Sequence, residues 1–153
     1  MASIRKEIRI AAPVDLVWDA LRDVGALHTR LVPGFVKDTR LEGSTRTVTF
    51  GNGVVVQEEI VSVDAMQHRV AWAVIGQRFR HYNGAAQIEA DPKGGSRFVW
   101  TVDLLPDELA ASVEQMMNAG IAVIKPTIEG AARAAWACAA GSRRPGHPEH
   151  DRR

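Results

Sequence analysis

Three side chains in this sequence could do chemistry together if the fold brings them to one place: Lys37, Glu58 and Tyr82. A carboxyl beside a phenol can serve as an acid/base pair for enolisation, dehydration or aldol cyclisation. An unpaired buried charge costs roughly several kcal/mol, so inward-facing Lys37 and Glu58 would pair with each other, with Tyr82 or with a polar ligand group. Burial and pairing move a pKa in opposite senses, so no direction follows from the sequence. The competing reading leaves Lys37 on a solvated rim and bonds Glu58 to Arg46 or Arg80 near the surface.

The other reactive residue types are weaker candidates. Cys138 is the sole cysteine, which excludes an intramolecular disulfide and any multi-cysteine metal site. It falls on an apolar helical stripe among alanines and reads as a small buried thiol rather than a nucleophile. His28 reads as a surface residue within reach of a pocket mouth, and His81 takes an outward strand position. His147 and His150 have a loose metal-like spacing with no further ligands. Walker, G-x-S-x-G and G-x-G-x-x-G patterns are absent, so neither a metal nor a cofactor is expected.

These candidates sit in a chain of 153 residues, enough for one domain with a sizeable core. Apolar residues make up 46% and the formal net charge is +1. Such a balance argues against nucleic acid or an anionic membrane as partner. No apolar run approaches the roughly 20 residues of a membrane span, and the start "MASIRKEIRI" lacks the apolar core of a signal peptide. A cytoplasmic protein, monomer or homodimer, is the expectation.

The elements that must position the candidates follow from periodicity. Residues 3–10 alternate as a strand. Pro13 suits the first turn of a helix running to Arg22 or Asp23, and a second short helical turn follows around Ala26–Leu31. Six strand signals then come in succession: Val36–Leu41, Arg46–Phe50, Val54–Val63, His68–Ile75, Tyr82–Ala90 and Arg97–Leu104. An Asn-Gly hairpin signal in "FGNGV" separates the second from the third. Short turns make consecutive strands antiparallel neighbours. Pro106-Asp107-Glu108 opens a long final helix, with apolar residues at helical spacing from Leu109 to Cys138. Pro126 within it predicts a kink. Gly141 ends it, giving a domain over 1–141 and a tail over 142–153 expected to be disordered.

The fold class is therefore α+β: a seven-stranded antiparallel curved sheet around a long C-terminal helix, with two short helices after the first strand plugging one end. A twisted sheet curling around a single helix encloses space. Strand parity turns Tyr82, Gly84, Ala86 and Ile88 inward, and likewise Phe98, Trp100 and Val102, and Val70, Trp72 and Val74. The expected lining adds Met117, Ile121 and Ile124 from the helix. Gly84 and Ala86 are small where a packed core would use bulk, which either leaves room for a ligand or fits opposing large side chains in a filled core.

The stretches "AAPVDLVWDALRD", "GSTRTVTFGNGVVVQEEIVSVD" and "HYNGAAQIEAD" with the closing helix resemble the START-like, or Bet v 1-like (SRPBCC), superfamily, over roughly residues 3–140. Polyketide cyclase/dehydrase-type proteins belong to that group. The resemblance implies a helix-grip fold with an apolar cavity between sheet and last helix, and it turns Glu58 inward with Val54, Val56 and Ile60. Plant abscisic-acid receptors offer a finer comparison: Phe35-Val36-Lys37, Gly43 to Arg46, Glu58 and Tyr82 match their pocket motifs. Their gate and latch are replaced here by "GNGVVV" and "RFRHY", so hormone sensing is not carried over.

Three functions compete. The first is binding of a small hydrophobic, lipid- or polyketide-like ligand against Lys37, Val56, Trp72, Val74, Phe98, Trp100, Met117, Ile121 and Ile124. The second is a cyclase, aromatase or dehydratase on the same cavity, with Glu58 and Tyr82 as catalytic acid and base. The third is an interaction or chaperone-cofactor module, which calls for a filled core and an exposed apolar patch.

Overall fold

The computed structural model describes residues 1–142. Apart from Ser142, the expected tail, with His147 and His150, lies outside the described residues. Strand β1 (Ala2–Ile10) opens the chain, and α1 (Val14–Arg22) follows Pro13 at once. Pro13 keeps an extended backbone at φ −67°, ψ 153°. It stands just before the helix rather than at the expected first helical position, and its carbonyl accepts the Leu16 and Val17 N–H groups at 3.1 and 3.2 Å. Val17, Trp18, Ala20 and Leu21 face the core from α1. The second short helix is a five-residue π-helical turn, Leu27–Leu31.

The sheet continues with β2 (Val36–Glu42), β3 (Thr45–Phe50), β4 (Val55–Asp64), β5 (Arg69–Ile75), β6 (His81–Ala90) and β7 (Ser96–Leu105). All pair antiparallel in the order β1-β7-β6-β5-β4-β3-β2. The Asn-Gly signal is a true hairpin: Gly53 has φ +88°, and the Phe50 N–H donates to the Val54 carbonyl at 2.8 Å. In the β4–β5 turn the Asp64 carboxylate accepts the Met66 and Gln67 N–H groups at 3.0 Å each, the local bond that favours Asp at turn starts.

A one-residue bulge interrupts β2 between Val36 and Asp38. It turns two successive side chains, Lys37 and Asp38, to the outside while Val36 and Thr39 stay buried. With Arg40 and Glu42, which are also exposed, this edge strand presents four charged side chains to solvent.

After a short 3-10 turn (Asp107–Leu109), α2 covers Ala110–Gly141. It runs unbroken through Pro126. Ala122, whose carbonyl loses its N–H donor to that proline, is exposed. The helix lies close to β1 and stands off from the middle of the sheet. Lys6 Nζ meets Glu114 at 2.6 Å, Lys125 Nζ donates to the Arg9 carbonyl at 2.8 Å, and the Ala11 N–H donates to Glu129 at 2.9 Å.

The buried apolar side chains form two clusters. One gathers Ile10, Val17, Ile88, Phe98 and Ile128; the other Val102, Leu104, Val113 and Met117; Trp100 touches both. A 32-residue helix is about 48 Å long, whereas a ten-residue strand reaches about 33 Å. The last turns of α2 therefore overrun the sheet. Trp136 is 80% exposed and Cys138 is exposed. This corrects the expectation of a buried thiol: helical periodicity predicts a face, but among the described residues none extends that far to cover it.

Candidate functional site

Between the sheet and α2 lies a cavity of about 640 Å3. Val48, Val70, Trp72, Ala86, Phe98 and Ile124 line its buried part. Its mouth opens between the β3–β4 hairpin tip at Asn52 and Val54, the β5–β6 link at Arg78 and Phe79, and the first half of α2. Exposed Ser112, Gln115 and Ala119 line the α2 side of that mouth with half-buried Met116. These four occupy i, i+3, i+4 and i+7, one helical face.

Of the expected lining, Val56, Glu58, Trp72, Val74, Tyr82, Phe98, Trp100 and Ile124 are at the cavity wall. Lys37, Met117 and Ile121 are not. The bulge in β2 turns Lys37 out to solvent. Met117 is fully buried against Val102, Leu104 and Val113 on the β1–β7 side, and Ile121 packs half-buried on the larger cluster. The helix is rotated so that Met116 rather than Met117 meets the cavity. Val54 is exposed at the rim instead of inside.

Gly84 follows the second of its two readings, a small residue fitted to a large one. A Cβ there would lie 2.5–2.7 Å from three atoms of the Trp72 indole. Trp72 and Gly84 are cross-strand partners, so the missing side chain is a seat for the ring, not space for a ligand. Gly120 allows a similar approach on α2: a Cβ there would meet Trp100 at 3.0 Å and Phe35 at 3.1 Å. Phe35 in turn stacks edge-on to Phe50, with centroids 5.4 Å apart.

One polar row crosses this apolar surface. Arg46 pairs with Glu58 across β3–β4, and Glu58 with Val74 across β4–β5. Tyr82 faces Val74 one step beyond the Ala73–Asn83 pair. The Glu58 and Tyr82 backbones are therefore about 10 Å apart, two strand spacings, and both long side chains rise from the same face.

Arg46 is 3% exposed and Glu58 8%. Nε and Nη2 of Arg46 both donate to Glu58 Oε2, at 2.8 and 2.5 Å, and Nη1 donates to the Val24 carbonyl at 3.2 Å. The guanidinium also lies 5.6 Å from the centre of a Trp72 ring, a favourable cation–π placement. The expected bond between Glu58 and Arg46 is thus present, but in the interior rather than near the surface.

Burial pushes the Glu58 carboxyl above its ordinary pKa, opposed by the charge and hydrogen bonds of Arg46. Two guanidinium N–H groups converge on one carboxyl oxygen, the geometry of a charge-assisted guanidinium–carboxylate pair. Burial, and secondarily the Glu58 charge, raises the Tyr82 pKa far above its usual value. Tyr82 is thus a proton-bearing donor and not a base. Glu58 Oε1 and the Tyr82 hydroxyl have no hydrogen-bond partner among the described residues. Neither is among the polar atoms sealed from solvent without one, so both remain open to the cavity.

Arg46, Phe35, Phe50, Phe79, Met116 and Ala119 were not in the expected lining. Counting from a two-residue Asn52-Gly53 turn would pair 46 with 59; the observed loop is centred on Asn52 and pairs 46 with 58. The phenylalanines lie in or beside turns, where parity says little. Among the described residues no cluster of His, Cys, Asp or Glu is arranged to hold a metal, and no helix is long and apolar enough to cross a membrane.

Residues 1–137 match the family described as polyketide cyclase / dehydrase and lipid transport. A comparison with curated proteins finds no match. Among solved structures, an uncharacterised protein from Bacillus thuringiensis superposes with a TM-score of 0.74 at 14% identity, covering 83% of this chain and 98% of its own. Ara h 8.0201 gives 0.64 at 20% identity, covering 87% and 98%. A point mutant of norcoclaurine synthase from Thalictrum flavum, solved with a transition-state analogue, gives 0.65 at 17%, covering 88% and 96%. At these identities the likeness carries the fold alone: the seven-stranded antiparallel sheet gripping a long helix.

Proposed function

This chain belongs to the polyketide cyclase / dehydrase and lipid transport family, and we propose that it holds a small hydrophobic, lipid- or polyketide-like molecule between the sheet and α2. The observation that carries this reading is the cavity of about 640 Å3, roughly in the middle of the range for small-molecule sites. Its walls are chiefly aliphatic and aromatic, with a few polar groups grouped in one row, the pattern that gives a ligand both affinity and orientation. An open interior also argues against a purely protein-interacting module, which needs a filled core.

The test is native mass spectrometry of the protein purified from its own host. A retained small molecule, lost when Ala86→Phe fills the cavity, supports the reading. Bare protein that also takes up no apolar probe overturns it.

A second reading, a cyclase or dehydratase acting through Glu58 and Tyr82, draws on the same row of polar groups. Tyr82, kept protonated, would serve as acid, and the open oxygen of Glu58 as base. Turnover of a candidate substrate that survives both Glu58→Gln and Tyr82→Phe would dismiss it.

A further inference from the structure

We propose that the cavity recognises an uncharged hydroxyl group, an alcohol or a phenol, on the apolar body of its ligand, and discriminates against carboxylates. This rests on the ligand-binding reading and adds the chemistry of the ligand's polar group. Arg46, the one cation at the inner end of the cavity, is already engaged. Its Nε and Nη2 hold Glu58 Oε2, Nη1 holds the Val24 carbonyl, and its face lies on Trp72. Three of its five N–H groups are in use and its charge is already matched by Glu58, so a ligand carboxylate gains little net attraction there. The other lining guanidinium, Arg78, is exposed and sits over Phe79, 5.5 Å from the ring centre.

What remains open at the inner end is one acceptor and one donor: Glu58 Oε1 and the Tyr82 hydroxyl. They flank Val74 on the same face of the sheet. A hydroxyl satisfies both at once, since its O–H donates to the carboxylate oxygen and its oxygen accepts from the phenol. A ketone can only accept, so it leaves the carboxylate unpaired. A carboxylate can only accept and meets the Glu58 charge as well. Hydrogen bonds to an ionised partner are the stronger kind, and leaving a buried partner unpaired is costly.

The experiment compares 2-naphthol, naphthalene and 2-naphthoate by titration calorimetry at about pH 7. The three share one apolar body and differ in the polar group. The expected result is 2-naphthol binding roughly tenfold or more tighter than either of the others. Tyr82→Phe should reduce the naphthol-to-naphthalene ratio severalfold. The double variant Arg46→Met/Glu58→Leu replaces both charges by apolar groups of similar size, so its folding does not depend on an unpaired ion. It should bring naphthol and naphthalene close together.

If naphthalene binds but naphthol binds no tighter, or naphthoate binds as well as naphthol, the hydroxyl inference falls and the ligand-binding reading stands. If none of the three binds, the ligand-binding reading fails and takes this inference with it.

Discussion

The indole of Trp72 occupies the place where a side chain of Gly84 would stand. The two residues face each other across β5 and β6, so the glycine sets where the ring lies and, through it, the shape of the cavity floor. Gly84→Ala should destabilise the fold by about 1–3 kcal/mol, the usual cost of overpacking a tight site. Urea unfolding would measure this. Unchanged stability with unchanged tryptophan emission would mean that the indole does not need the glycine.

Arg46 and Glu58 should behave as a unit. Removing one partner, as in Arg46→Met or Glu58→Leu, leaves a buried charge alone and should cost about 3–5 kcal/mol. The double replacement should cost far less than the sum of the single ones, because no charge is then left unpaired. A double-mutant cycle in denaturant tests it, and additive losses would contradict the pairing.

Acid should act on two carboxyls in opposite directions. Hydrogen bonds from the Lys125 ammonium and then the Ala11 N–H hold Glu129 below its ordinary pKa. Its stabilising effect is therefore present above the usual carboxylate range and is lost as pH falls through the lowered value. Glu129→Gln should lower Tm at neutral pH, and the gap to wild type should close on acidification below about pH 4. Glu58, raised by burial, has the opposite sign. Its effect is full below the ordinary carboxyl pKa and fades as pH rises through the raised one. A gap for Glu129→Gln that widens in acid would refute the assignment.

The overhanging end of α2 should be visible in solution. Trp136 should emit as a water-exposed indole, so Trp136→Phe should shift the remaining emission, from Trp18, Trp72 and Trp100, to the blue. Cys138 should react with a thiol reagent in the native state, at a rate little changed by denaturant. Protection of either residue would mean that something covers this end of the helix.

Alternation and turn chemistry made most of the architecture legible. Seven strands, their antiparallel order and the closing helix all follow from periods of two and 3.6 and from short connections. Parity turns Trp72, Tyr82, Phe98 and Trp100 inward, where the structure has them; both faces of β4 are largely apolar, so Glu58 is turned inward by family likeness alone.

The misplacements have local causes. Lys37 sits on a bulge, and one extra residue resets parity for its strand. Met117 and Met116 are adjacent, and periodicity cannot fix a helix's rotation to within one residue. Cys138 lies on a proper apolar stripe that outlasts the sheet beneath it. Gly84 has the composition of an empty site, and only the direction of the Trp72 ring reveals that it is occupied.

A sheet that curls without closing keeps two borders where backbone N–H and C=O groups could recruit another molecule's strand. One border, β1, has α2 lying alongside it. The other, β2, is bent by its bulge and carries Lys37, Asp38, Arg40 and Glu42 on its outer side. Bulges and charges at a border oppose strand-by-strand growth. The same irregularity that sends Lys37 away from the cavity thus guards the molecule against fibrous self-association when it is crowded.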